Sequence, residues 1–287
     1  MLGTVLSVLF LLWFLTGMVM MYRTYPSVSQ QQRMEHAERI ECPAVLPPVA
    51  DSPSSMYIER IAGRDILTVK TDGEEHLYDL HSGKEYSRFT AEELMQVASL
   101  WTASVAGDLQ SPALPVVGDL QSPALPVVGD LQSVVGDLQS PTLIDTLNAI
   151  DVWLIGCMPF NEYPVYHYAL NDGRGSELYL SSRTGRALQF TDSESRFWAW
   201  VGAIPHRIYI KQLRATGRQP WTDVVLWLSG FGIAMTLSGI VIGLRSIFIA
   251  RRRNKSLSPY AKPLFRWHHL FGLCFGFFVL TWIFSGF

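Results

Sequence analysis

The chain has 287 residues, 48% of them hydrophobic and 17% charged, with 23 Lys plus Arg against 25 Asp plus Glu for a net charge of -2. That near-balance leaves no basic excess of the kind nucleic acid attracts, and three widely spaced cysteines exclude a disulfide-stapled scaffold, a cysteine-rich metal site and a CxxCH haem attachment. No GxGxxG, Walker or nucleophile motif is present, which argues against nicotinamide, flavin or nucleotide chemistry within the chain.

Residues 1–22 are apolar and free of charge, long enough to cross a hydrocarbon core of about 30 Å at about 1.5 Å per residue. The run lacks a basic n-region and an A-x-A-like cleavage site, so a retained transmembrane helix is expected rather than a secretory signal peptide. Residues 23–55 read as a short helical lead followed by a proline-rich linker.

A first α+β unit is expected over residues 56–104. RDILTVKTDGEEHLYDL holds two alternating stretches around Asp72-Gly73, a hairpin signal. Ser82-Gly83 marks a turn, and Thr90 with Glu93 forms a capping box for a helix to about Thr102. Residues 105–140 then repeat the core GDLQS four times, in two units of eleven residues and two of seven. This reads as a tandem expansion in a surface loop, where added length costs little closure entropy, with a binding spacer as the functional alternative.

A second unit is expected over residues 141–203. Ser140-Pro141 is read as opening a helix through TLIDTLNAIDVWL. Asn171-Asp172-Gly173 separates two strands, Thr184-Gly185 repeats the role of Ser82-Gly83, and Thr191 or Asp192 caps a further helix. The two units together predict a small α+β fold duplicated within the region. Asp172, Glu177, Asp192 and Glu194 form no recognisable metal or acid-base set.

A juxtamembrane segment, residues 204–222, carries His206 and four cations, Arg207, Lys211, Arg214 and Arg218, at helical spacing. Lipid headgroups or an anionic substrate would suit them. Transmembrane helices are expected over 223–245 and 263–287, joined by a loop at 246–262. Between Arg245 and Arg266 lie seven basic residues and no acidic one, which assigns this loop to the cytoplasm. Residues 23–222 then fall on the other side, and residues 23–223 hold all 25 acidic residues.

His268 and His269 stand at the mouth of the last apolar run. Aligning Trp282 with Trp13 and Ser285-Gly286 with Thr16-Gly17 also aligns Gly272 with Gly3, so the first and last helices are related. Gly230, Gly232, Ser238, Gly239, Gly243, Gly272 and Gly276 permit close backbone approach, for helix packing or for a flat ring.

The turns DLHSGK and SSRTGR, WAWVGAIPHRIYIKQLR, WLSGFGIAMTLSGIVIG, FRWHHLFGLCFGFFVLTWIFSGF and WFLTGMVMMYRTYP together resemble the PepSY-associated transmembrane protein family. The resemblance implies a multi-pass protein of the bacterial inner membrane, with duplicated PepSY-like units in the periplasm on an α-helical part of three spans. Some members resemble ferric-siderophore reductases that hold b-type haem between their helices. On that pattern His268 is the candidate haem-iron ligand, His269 a neighbour facing headgroups or a ring propionate, and His206 a candidate for a second, outer haem. The family pattern places a histidine before the glycine matched by Gly3 and further spans after Ser285-Gly286, so the chain is expected to be truncated at both ends.

The implied function is haem-linked electron transfer to a periplasmic Fe(III) chelate. Its partners would be the lipid bilayer, a separate set of transmembrane helices, a quinol donor and an iron-siderophore, with no nucleic acid. The alternative is a non-enzymatic anchored binding or regulatory module, or an inactive fragment.

Overall fold

The computed structural model describes residues 2–40, 53–71, 74–110, 140–157, 161–252 and 258–285. The chain divides into two compact units, Thr16–Lys211 and Met1–Leu15 with Gln212–Phe287. Helix α1 (Leu2–Tyr22) contributes residues to both.

In Thr16–Lys211, α1 is followed by the short helix α2 (Gln30–Glu35), where Ser29 and Gln32 exchange side-chain and backbone bonds in a capping box. Strands β1 (Ser55–Ile61), β2 (Arg64–Thr71) and β3 (Glu74–Asp79) then form an antiparallel sheet in that order. The expected hairpin is β2–β3, with Thr71 opposite Glu74; its Asp72-Gly73 turn lies outside the described residues. Sequence reading missed β1, which pairs with β2 through a two-residue turn at Ala62-Gly63, both at positive φ.

The capping box at Thr90 is present: the Thr90 N–H donates to Glu93 at 2.8 Å and the Glu93 N–H to Thr90 Oγ1 at 3.2 Å. The helix it starts, α3 (Ala91–Gln110), runs beyond Thr102 into the first copy of the repeat. Residues 111–139 lie outside the described residues.

The helix expected after Ser140-Pro141 is corrected: Thr142–Leu147 is a strand, β4, and only Val152–Leu154 coils, as a single 3-10 turn capped by Asp151. β-branched residues at 142, 144 and 146 suit a strand, and β4 pairs antiparallel with β5 (Val165–Ala169) with a register shift between Leu143 and Asp145. Strands β6 (Glu177–Ser181) and β7 (Ala187–Thr191) complete a sheet ordered β4-β5-β6-β7. Helix α4 (Ser193–Val201) follows, capped by Asp192 with Ser195.

The turns after β3 and β6 match bond by bond. After β3, the Gly83 N–H donates to Asp79 O and the Asp79 N–H to Lys84 O; after β6, the Gly185 N–H donates to Ser181 O and the Ser181 N–H to Arg186 O. Thr90 and Asp192 then cap their helices seven residues after Gly83 and Gly185 respectively. The two units share one core: Ile61, Ile66 and Leu77 meet Phe89, Leu94, Ala98 and Trp101 of the α3 region and Tyr168, Leu178 and Leu180 of the second sheet. The opposite face of the second sheet covers another core, where Val165 and Tyr179 meet Tyr25, Trp153, Leu154, Ala199 and Ile204.

The other unit holds α6 (Lys211–Arg214) from Gln212 onward, α7 (Gln219–Arg252) and α8 (Pro263–Ser285), with the first part of α1. Helices α7 and α8 are long and apolar enough to cross a membrane. The charge-free part of α7, residues 224–244, spans about 31 Å, a hydrocarbon thickness. Trp13 and Phe14 of α1 pack on Trp282 of α8, at centroid distances of 5.9 and 5.4 Å.

Candidate functional site

Small residues draw α7 and α8 together. A Cβ on Gly243 would stand 2.8 Å from Leu273 Cδ2, one on Gly276 would stand 3.2 Å from Ile240 Cγ1, and one on Gly232 would meet Ile283 at 3.5 Å and Phe10 of α1 at 2.7 Å. These glycines serve helix packing, as small residues do where side chains must interdigitate. Gly230, Gly239 and Gly272 instead face open space.

The two adjacent histidines separate by about 100° around the helix. His269 turns into the seam, is buried, and its Nε2 lies 3.0 Å from Gly243 O. A carbonyl only accepts, so Nε2 carries the proton and Nδ1 is left as a buried acceptor with no hydrogen-bond partner. Tyr260 stands edge-on to this ring at 5.5 Å. His268 is exposed, and Gly272, one turn along, leaves the space beside it open.

The fit to haem is half of a bis-imidazole site. His268 offers an accessible imidazole above a glycine notch, but the only other histidine in its unit, His269, is committed to Gly243 O. Among the described residues no group of three or more His, Cys, Asp or Glu side chains is placed to hold a metal ion.

His206 belongs to the other unit. It ends helix α5 (Ala203–His206), and its ring lies against the backbone of Gly17, where a Cβ would meet His206 Cε1 at 2.8 Å, with Thr16 Oγ1 3.5 Å from Nδ1. The four juxtamembrane cations do not share one helical face. Ile208 has φ of +52° and breaks the run; Arg207 bonds Tyr209, Lys211 pairs with Asp151 at 2.9 Å, and Arg214 is buried 4.0 Å over the Trp221 ring.

The acidic residues singled out in the sequence each have a local task. Asp172 accepts from the Arg174 and Ser176 N–H groups, Asp192 caps α4, and Glu194 pairs with Arg23 at 2.9 Å. Glu177 anchors a cluster that sequence reading missed: His167 Nε2 lies 3.0 Å from one carboxylate oxygen, Tyr179 donates to the same oxygen, and Arg196 lies 3.4 Å from the other. The only advance signal would have been strand register, which sets His167 opposite Tyr179. The hydrogen bond from His167 holds the Glu177 carboxyl below its ordinary range, overcoming desolvation with help from Arg196.

A cleft of about 240 Å³ lies among residues 33–40, Ile58, Val97, Trp101 and Arg186. Two of its cations are already paired, Arg186 with Glu59 at 2.7 Å and Arg60 with Asp65 at 3.6 Å. His36 stacks on Trp101 at 3.9 Å and covers the core edge.

Comparison of the chain with family models, curated proteins and solved structures gave no match.

Proposed function

We propose that this chain is a membrane-anchored α+β protein of the PepSY-associated transmembrane kind, working as a binding or regulatory module. In this reading three spans hold it in the bacterial inner membrane, residues 23–222 are periplasmic, and the loop at 246–262 is cytoplasmic. The observation that carries it is the division of side chains on α7 and α8. Their large apolar groups, such as Trp227, Phe231, Phe275 and Phe278, point outward, while His269, the one buried polar side chain on these helices among the described residues, bonds one helix to the other. Such a seam suits an anchor, because close glycine contacts and an interhelical hydrogen bond hold helices together in an apolar medium.

A second reading is haem-linked electron transfer from a quinol to a periplasmic Fe(III) chelate such as an iron-siderophore. Exposed His268 beside the open flank of Gly272 favours it. Haem b, when bound, supplies one-electron chemistry. His268 would be the residue that holds its iron, and His269 would keep α8 in register.

One experiment separates the two. The chain is expressed in membranes, and reduced-minus-oxidised visible spectra are recorded for wild type, His268→Ala and His269→Ala. A b-type signal lost in His268→Ala and retained in His269→Ala supports electron transfer. A folded, membrane-inserted protein without the signal supports the module.

A further inference from the structure

We infer that helix α4 is a second membrane contact, lying in the headgroup layer with Phe197, Trp200 and Val201 turned into lipid; this rests on the membrane-anchored reading. The three side chains occupy one face of α4, at i, i+3 and i+4, and are 59%, 58% and 39% exposed. Grouped on one helix face, they present an apolar surface that a neighbouring phase or partner can cover.

The occupant is identified by what lies beside it. Within Thr16–Lys211, α4 and α5 track the end of α1 in the reverse direction. Glu194 and Trp198 meet Arg23, the first residue beyond α1; a Cβ on Gly202 would stand 2.9 Å from Val19 Cγ1; and His206 reaches Gly17. From Arg23 to Val19 is four residues, about 6 Å along the helix axis. Helix α4 therefore passes from the polar exit of α1 to a level about one turn inside its apolar part, a depth that matches the 5–10 Å reached by interfacial helices. Its polarity follows the same gradient. Ser193 and Glu194 stand at the polar end, Phe197, Trp200 and Val201 at the apolar end, and exposed Met18, Met21 and Tyr22 extend the apolar surface on α1. Trp and Tyr favour this layer because one edge is apolar and the other takes hydrogen bonds.

The test uses the full chain with Cys42, Cys157 and Cys274 replaced by Ser, and single cysteines introduced as Phe197→Cys, Trp200→Cys, Met56→Cys or Phe278→Cys. Each carries an environment-sensitive nitrobenzoxadiazole label and is reconstituted in phosphatidylcholine and phosphatidylglycerol vesicles. Quenching is read with acyl-brominated lipid and with aqueous iodide. The expected result is bromolipid quenching at 197 and 200 exceeding that at 56 by about twofold or more, with iodide giving the reverse order. Labels at 197 and 200 that behave like the one at 56, while 278 is quenched by bromolipid, would overturn the inference and leave the anchored reading standing. If 278 also escapes bromolipid, the anchored reading fails and takes the inference with it. Protection of 197 and 200 from both quenchers would assign the face to a protein partner and equally overturn a lipid contact.

Discussion

Gly83 and Gly185 have the same backbone and different surroundings. Their φ angles are +66° and +69°, the left-handed region that a Cβ disfavours by about 1–2 kcal/mol. Nothing stands near a Cβ at Gly83, whereas one at Gly185 would run into Ile61 Cγ2 and lie 3.2 Å from Phe89 Cε2, both in the shared core. Gly83→Ala should therefore cost about 1 kcal/mol, and Gly185→Ala about 3 kcal/mol, as backbone strain and overpacking add. Thermal unfolding of the detergent-solubilised chain, followed by near-ultraviolet circular dichroism, measures the difference. Equal losses would mean that the second turn is not wedged into the core of the first unit.

At the level of elements, the Glu177 cluster ties three pieces together: His167 on β5, Glu177 on β6 and Arg196 on α4. The folded carboxyl titrates below its unfolded value, so its contribution is fully present above about pH 4.3 and is lost as pH falls through the lower folded value. Glu177→Gln should lower stability near neutral pH and flatten the decline on the acid side. Unfolding midpoints of wild type and variant between pH 6 and pH 3 are expected to converge at the acid end; parallel curves would show that the pair contributes nothing to folding. Strand β4 illustrates a different aspect of element formation. Its side chains are largely exposed, so hydrogen bonding to β5 holds it rather than burial, and its register shift is a common protection for a sheet edge.

On the scale of the molecule, the boundary between the compact units falls inside α1, not at its end. Met20 packs on the core of Tyr25, Trp153 and Ile204, Val19 fills the space at Gly202, and Gly17 receives His206. A fragment of residues 16–211 should consequently unfold at a higher temperature than one of residues 23–211, both in mild detergent. The gap should correspond to about 2 kcal/mol or more, the loss expected when a methionine and its neighbours leave a packed site. Coincident midpoints would make α1 a passive tether.

The sequence by itself determined the features that local chemistry controls. Charge-free runs gave the apolar helices, glycine and Asx residues gave the turns, and Thr90 with Glu93 and Asp192 gave helix starts, because each depends on a few consecutive residues. The α+β character of the region was legible for the same reason. Only the tertiary structure decided the rest. Thr142–Leu147 became a strand because β5 was available to pair with it, and β1 was missed because SMYIERI does not alternate between apolar and polar residues. His268 and His269 have the same chemistry and differ only in which meets α7, while His167 and Glu177 meet only after β5 and β6 align. These outcomes depend on residues far apart in the chain, whose proximity is set by packing and register.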